Sequence, residues 1–215
     1  MSISVALAHY LVCLPALFII VDPLGAVPVF LAVTSTDPPL KARGVALRAC
    51  LVAGSLLIFF SLFGNWLFGL FGISLAAFRV AGGLLLMLTA LDMLRARPSE
   101  TRTTPGETSD GILKDDPAIV PLAIPLLGGP GAIATAMVLM SAGPGFTYAV
   151  PTVLAILTVF AASYVLLRSS TLVQRVLRRS GLAVLERVMG LILAGIAVQF
   201  VADGTGELWR AITQS

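Results

Sequence analysis

Residues 16–34 read ALFIIVDPLGAVPVFLAVT, an apolar run that an acidic residue, two prolines and a glycine interrupt. The run is long enough to enter a bilayer, because a spanning helix needs roughly 20 mainly apolar residues. An acidic side chain is costly in hydrocarbon and proline removes a backbone donor, so a simple membrane anchor has no use for Asp22 and Pro23. We therefore predict a first membrane helix that is broken near Asp22, and a function for the break.

The composition of the 215-residue chain is that of a membrane protein. Hydrophobic residues make up 58% of the chain and charged residues 12%, whereas about a quarter of a soluble domain is charged. The mean hydropathy is +0.99, and the net charge of +3 gives no reason to expect a nucleic-acid partner. Cys13 and Cys50 lie in apolar runs without metal-ligand spacing, and the only histidine, His9, begins the first span. We expect buried thiols and an interfacial imidazole, with no metal site, no cofactor and no catalytic residue.

Apolar runs separated by short turns predict six membrane spans. They lie at about 5–34, 46–70, 75–94, 118–142, 147–167 and 182–202. The apolar region 45–94 must contain two spans, because a single helix of that length would overshoot a hydrocarbon core of about 30 Å. We place their hairpin at 71–74. Residues 96–117 are rich in Ser, Thr, Pro and acidic residues, which predicts a flexible loop between two halves at 1–95 and 118–215.

The positive charges predict how the spans are oriented. Eleven of the 14 Lys and Arg residues lie in the first, third and fifth connections, and none lies in the N-terminus or in the second or fourth connection. Basic residues concentrate on the cytoplasmic side of membrane proteins. The odd connections are therefore predicted to be cytoplasmic and both termini to face outward. The fifth, at 168–179, is predicted as a basic connector before the last span, and an amphipathic interfacial helix is an open alternative for it.

Two sequence matches indicate an internal repeat. At an offset of 106 residues, GAV at 25–27 matches GAI at 131–133, and at an offset of 108, RVAG at 79–82 matches RVMG at 187–190. A broken first helix and an Arg-Val-x-Gly third helix thus recur in the same order. Because each repeat holds three spans, an odd number, the two halves must be inverted in the membrane. Inverted repeats with discontinuous helices are typical of secondary transporters.

The two interruptions supply backbone groups that suit a small zwitterion. Pro23 and Pro130 fit the first position of a helix, where the missing N–H is harmless. Asp22 would cap one half-helix, and Gly128 and Gly129 would let the chain unwind before the other. Free N–H groups at helix starts attract a carboxylate or another anion, while unwound carbonyl groups and the Asp22 carboxylate suit an ammonium group, a proton or a small cation. An amino acid would satisfy both.

The residues of both interruptions are the candidate substrate-binding positions: Asp22, Pro23, Gly25, Pro28, Pro125, Gly128, Gly129, Pro130 and Gly131. For Asp22, a helix-capping turn without a role in binding is an equal alternative, and for the glycines the alternative is close helix packing. Arg79, Arg187 and Gln199 are secondary candidates. A packing or interfacial role is favoured for the two arginines, and Gln199 is predicted to face a cavity.

With these motifs in view, the chain resembles the MarC family, whose six-span members are also described as neutral amino acid transporters. The matching stretches are DPLGAVPVF at 22–30, FGISLAAFRVAGG at 71–83, VPLAIPLLGGPGAI at 120–133 and RVMGLILAGIAVQF at 187–200. The resemblance implies an all-α protein of the bacterial cytoplasmic membrane that moves small neutral amino acids such as alanine, glycine or serine. Export and proton coupling are open details. The family's association with multiple antibiotic resistance does not establish drug efflux.

Three other functions stay open at the level of the sequence. A channel or a broad exporter of apolar drugs would use the same architecture. An enzyme acting on lipid is disfavoured, because the chain has one histidine and no recognisable metal-ligand cluster or acid–base pair. A structural partner would form a hetero-complex without solute flux. The sequence also leaves open the coupling proton or cation and a homo-oligomeric state.

Overall fold

The computed structural model describes residues 3–95 and 118–213. Within these two ranges all regular structure is helical. The eight helical segments are α1 (Ile3–Val21), α2 (Ala26–Val33), α3 (Pro39–Leu70), α4 (Leu75–Leu94), α5 (Ala118–Leu127), α6 (Pro130–Met140), α7 (Phe146–Arg168) and α8 (Ser170–Thr213). The predicted loop at 96–117 lies outside the described residues, and the division into halves at 1–95 and 118–215 stays a prediction.

Length and composition make this a multi-pass membrane protein. Five helices are long and apolar enough to cross a membrane, and a sixth span results if the bent pair of α5 and α6 counts as one. Large apolar side chains also cover the outside of the bundle, as at Phe59, Leu154 and Leu191, which are 50% exposed or more. A helix that is apolar on every side belongs in lipid or in a core. The predicted all-helical polytopic class is therefore confirmed.

The turn between α3 and α4 confirms the predicted hairpin at 71–74. Gly72 has a φ of 67°, a conformation that glycine adopts without a steric penalty from a Cβ atom. Ser74 is the N-cap of α4, and its hydroxyl oxygen accepts a hydrogen bond from the amide of Ala77 at 3.1 Å. That bond satisfies one of the donors that the first turn of a helix leaves open.

The predicted connector at 168–179 is mostly helical, as the interfacial-helix alternative expects, but it is not a separate element. Only Ser169 separates α7 from α8, and α8 continues unbroken for 44 residues. A helix of this length extends about 66 Å, roughly twice the thickness of a hydrocarbon core. Its apolar candidate span begins at Gly181. The residues of α8 before Gly181, which include several arginines, therefore extend the helix beyond the predicted span at 182–202. The physical reason is that charges do not end a helix, and this segment contains no proline that would.

The helices of residues 3–95 pack mainly against those of residues 118–213. The most extensive contact is between α4 and α8; α1 packs against α7, and α3 packs against α5, α6 and α7. Glycines allow the α4–α8 approach, because a Cβ atom at Gly83 would lie 2.9 Å from the carbonyl oxygen of Ala197. Small residues favour such close packing between membrane helices. The two parts of the chain are thus interleaved.

Candidate functional site

The first interruption lies between α1 and α2, where the chain leaves the helix at Asp22. This residue is 3% exposed and has a φ of 50°, a left-handed conformation in which Asp is enriched. Its carboxylate Oδ1 accepts a hydrogen bond from the amide of Gly25 at 3.1 Å, and its carbonyl oxygen accepts one from the amide of Ala26 at 3.2 Å. Asp22 therefore holds the start of α2, as the capping alternative predicts.

The two prolines of this motif have different surroundings. The prediction that Pro23 begins a helix is wrong: α2 begins at Ala26, and Pro23 is buried in the turn before it. Pro28 is the third residue of α2 and is exposed. Its missing N–H costs nothing there, because the first turn of a helix has no internal acceptor for it. Gly25 is required by space, since a Cβ atom at this position would collide with the Asp22 carboxylate.

The second interruption lies between α5 and α6, which are bent by 55° relative to each other. Within α5 the backbone is extended at Val120 and Ile124. Each precedes a proline, and the proline ring disfavours helical backbone in the residue before it. Gly128 is buried and donates its amide hydrogen to the carbonyl oxygen of Ala123 at 2.8 Å. Pro130 then begins α6, as predicted.

The residues before α2 and α6 are both glycines without a capping side chain of their own. The start of α6 differs because Gly25 donates its amide to the Asp22 carboxylate, whereas no described side chain does the same for Gly129. The first bond of its turn runs from the amide of Ile133 to the carbonyl oxygen of Gly129 at 3.1 Å. The amides of Gly131 and Ala132 precede that bond and have no acceptor inside the helix. Both residues, with Gly129 and Pro130, line a cavity of about 20 Å³. The start of α6 thus presents a partial positive charge to this cavity.

The cavity has the size of a water molecule or of one oxygen atom of a ligand, since about 10–15 Å³ is enough for a water. Its other walls come from α1, α4 and α5: Ile20, Leu85, Leu86, Thr89, Pro125 and Leu126. Thr89 is the one hydroxyl side chain among the described residues of this wall. It is 6% exposed and donates its proton to the carbonyl oxygen of Leu85 at 3.1 Å. The sequence reasoning missed it, although a lone threonine in an apolar span is a usable signal.

The structure brings only part of the predicted site together. Four of the candidates, namely Pro125, Gly129, Pro130 and Gly131, lie in the cavity wall, and Gly128 adjoins it in the chain. The described wall does not include Asp22, Pro23, Gly25 or Pro28. Space also explains the glycines: a Cβ atom at Gly129 would lie 2.6 Å from the carbonyl oxygen of Pro125, and one at Gly131 would collide with Leu86.

A second acidic residue acts on the first interruption. Glu186, on α8, interacts electrostatically with Asp22, and α2 packs against α8. Glu186 is half-buried. The sequence reasoning missed this residue, although it stands directly before the RVMG motif at 187–190. Two acidic side chains therefore lie near the end of α1, whereas the described wall of the cavity at α6 contains none.

The secondary candidates lie away from the cavity. Arg79 contacts Glu207 across the α4–α8 interface, with 2.6 Å between Nη1 and Oε1, which is the packing role favoured from the sequence. Arg187 is exposed on α8. The prediction that Gln199 faces a cavity is wrong, because its side chain is exposed and its amide donates to Asp203 Oδ1 at 2.8 Å.

Comparison with known proteins agrees with this architecture. Residues 7–209 match the family described as "MarC family integral membrane protein". The chain is 39% identical to a UPF0056 membrane protein of Methanocaldococcus jannaschii over 198 residues, which cover 92% of this chain and 96% of the relative.

Bacterial relatives match over similar lengths. The UPF0056 membrane protein YhcE of Escherichia coli is 33% identical over 87% of each chain. YvbG of Bacillus subtilis is 31% identical over 92% of this chain and 94% of its own. No solved structure matches the chain. The chain belongs to the MarC family of integral membrane proteins.

Proposed function

We propose that the protein is a secondary transporter of small neutral amino acids, and that the start of α6 binds the carboxylate group of the substrate. The observation that carries this proposal is the uncapped start of α6 in the wall of a small, partly open cavity. Amide groups that are buried without an acceptor cost about 1–3 kcal/mol each, and a carboxylate oxygen would satisfy them. The positive end of the helix dipole adds to the attraction.

The opposite charge of a zwitterion needs acceptors, and the end of α1 supplies them. Asp22 and Glu186 are the acidic residues that interact there. Asp22 Oδ1 accepts the amide of Gly25, and a carboxylate can accept several hydrogen bonds at once, because it has about four lone-pair sites. These two residues are the proposed partners of the substrate ammonium group or of a coupling proton or cation.

Transport requires the cavity to open. A volume of about 20 Å³ holds one oxygen atom and not a whole amino acid, so the site is too narrow for a substrate in this conformation. A secondary transporter passes through such a state between openings to the two sides of the membrane. Movement of α5 and α6 relative to α4 would open the cavity, because these segments form most of its wall.

The proposed topology has six spans arranged as two inverted repeats, with α5 and α6 forming one broken span. In this topology α1 corresponds to α5, and α3 corresponds to α7. Packing between the halves supports it, because α1 contacts α7 and, correspondingly, α5 contacts α3. The third helices of the halves, α4 and α8, pack on each other. A two-fold axis in the membrane plane would produce this exchange of contacts. The basic connections would then be cytoplasmic in the bacterial inner membrane, with both termini outward.

Uptake of labelled amino acids into proteoliposomes tests the proposal. Purified protein is reconstituted with and without an imposed proton gradient, and alanine, glycine and serine are compared with charged amino acids. We expect saturable uptake of the small neutral ones. No uptake in either gradient by protein that elutes as a single folded species would overturn the proposal, and uptake that does not saturate would indicate a channel instead.

A further inference from the structure

The first part of α8 is a basic helical segment that lies outside the candidate membrane span. It comprises residues 170–180, with the sequence STLVQRVLRRS, and the apolar span begins directly after it at Gly181. This basic segment contains three arginines and no acidic residue, and Arg168 precedes it at the end of α7. The described wall of the cavity at α6 includes none of its residues, so the proposed transport site leaves it without a role.

Packing against the bundle fixes which side of the basic segment faces outward. Ser170 is 3% exposed, and Val173 packs against the hydrophobic core. In contrast, Leu172 is 58% exposed and Val176 is 70% exposed, and Arg175 is exposed beside them. Residues three and four apart are neighbours on a helix surface. The outward side of the segment therefore combines a guanidinium group with two exposed apolar side chains.

The positive charge of the basic segment is not balanced by acidic groups. No described residue forms an ion pair or a hydrogen bond with the side chain of Arg175. Positions 178 and 179, three and four residues further along the helix, are also arginines. Like charges at this spacing repel each other and destabilise a helix. A bound anion would relieve this repulsion.

We propose that the basic segment binds an anionic phospholipid. The guanidinium group of Arg175 would hold the phosphate group of the lipid, because its planar set of donors matches the geometry of phosphate oxygens. Leu172 and Val176 would contact the adjoining part of an acyl chain. A helix that presents both basic and apolar side chains binds at a membrane surface through these two kinds of contact.

Two observations favour a phospholipid over a soluble anion or a nucleic acid. The side chains of Leu172 and Val176 are exposed apolar groups, which a phosphate ion or a nucleic-acid backbone would leave in water. The basic segment is also continuous with the apolar span that begins at Gly181, which keeps it at the membrane surface. Clusters of arginine next to a membrane helix attract lipids with a net negative charge, so an anionic headgroup is preferred to a zwitterionic one.

Native mass spectrometry of the purified full-length protein tests the proposal. Phosphatidylglycerol is added in a neutral detergent and compared with phosphatidylcholine that has the same acyl chains. We expect phosphatidylglycerol to bind more tightly. Arg175→Gln should weaken this binding about fivefold, which is the contribution expected of one arginine near anionic lipid. The matched control is Arg210→Gln, which removes an exposed arginine at the other end of the same helix and should leave binding unchanged.

A second variant tests the apolar part of the site. Leu172→Ser keeps every charge of the basic segment, and it should also weaken the binding of phosphatidylglycerol, because apolar contact with the acyl chain is lost. Inorganic phosphate at millimolar concentration should not displace the lipid, because it cannot make that contact. Complete displacement would identify a site for soluble anions and contradict the proposal.

Three further results would overturn the proposal: equal binding of the two lipids by the wild-type protein, equal losses in Arg175→Gln and Arg210→Gln, or unchanged binding in Arg175→Gln or Leu172→Ser. The comparison of the two lipids needs no variant, so it decides the matter even where a variant fails to fold. Because none of these measurements involves amino acid uptake, failure of the transport proposal would not affect them.

Discussion

The two helix interruptions contain the same kinds of residues but differ in what completes them. At the first, the Asp22 carboxylate accepts the amide of Gly25 and occupies the start of α2. At the second, no described side chain caps α6, and its first amides face a cavity. A helix start that carries its own carboxylate repels a second anion, whereas an uncapped one attracts it. Proline and glycine therefore determine where a helix breaks, and the residue at the cap determines whether the break can bind a ligand.

The difference also gives the two halves complementary parts of the proposed zwitterion site. The end of α1 has acidic side chains, Asp22 with Glu186 nearby, while the described start of α6 offers backbone amides. Ile20, two residues before Asp22, is in the wall of the cavity at α6. The two interruptions are thus neighbours of opposite electrostatic character. Two interruptions with identical groups would not differ in this way.

The largest effect is expected from giving the second interruption the cap of the first. Gly129→Asp places a carboxylate at the N-cap of α6, where it would occupy the amides proposed to bind substrate. Loss of charge-assisted hydrogen bonds of about 1.5–3 kcal/mol predicts a fall in kcat/KM for uptake of roughly 10- to 100-fold. The measurement is initial-rate uptake by proteoliposomes with equal amounts of reconstituted protein.

Gly129→Ala is the matched control for that substitution. Its Cβ atom meets the carbonyl oxygen of Pro125 as the Asp variant's does, but it adds no charge. Uptake by the Ala variant should therefore fall less than uptake by the Asp variant. Equal losses in the two variants would show that space, and not charge, governs this position, and would remove anion binding from α6.

A smaller effect is expected at the first interruption, where two variants separate capping from transport. Asp22→Asn keeps an oxygen for the Gly25 amide and tolerates left-handed backbone, so thermal stability should be nearly unchanged while uptake falls. Asp22→Ala loses the bond as well and should destabilise the protein by about 0.5–2 kcal/mol. Melting temperature and uptake are measured on the same preparations. Normal uptake by Asp22→Asn would leave Asp22 a purely structural role.

Local sequence signals predicted the elements but not all of their ends. The break at Asp22, the hairpin at 71–74 and the start of α6 at Pro130 were predictable because proline, glycine and hydropathy act over a few residues. The start of α2 was misplaced at Pro23, since the left-handed backbone at Asp22 delays the helix to Ala26. The length of α8 was missed because a run of charges resembles a connector although it does not stop a helix.

Contacts between distant residues were beyond the sequence. Thr89 lies in the cavity wall only because α4 packs against α6. Cys13 and Thr152 are 139 residues apart in the chain, and their meeting depends on how α1 lies on α7. Gln199 was placed toward a cavity from its polarity alone, and the rotation of α8 against α4 instead exposes it. Which face of a membrane helix meets a neighbour is weakly encoded, because both faces are apolar.

The smallest effect on transport is expected from glycines outside the interruptions. A Cβ atom at Gly83 on α4 would lie 2.9 Å from the carbonyl oxygen of Ala197, whereas one at Gly195 on α8 would meet nothing within 4 Å. Gly83→Ala should therefore lower stability by about 1–3 kcal/mol through overpacking. Gly195→Ala should not, because alanine favours a helix over glycine by about 1 kcal/mol.

Both variants should have the same KM for amino acid uptake as the wild-type protein, because neither glycine lies in the described wall of the cavity. Thermal denaturation in detergent and uptake by proteoliposomes measure the two quantities. An unchanged KM in Gly83→Ala would mean that the α4–α8 pair is a rigid frame and that only glycines at the interruptions affect substrate. A raised KM would instead mean that α4 moves against α8 during transport, so that the contrast between the two interruptions would not account for binding by itself.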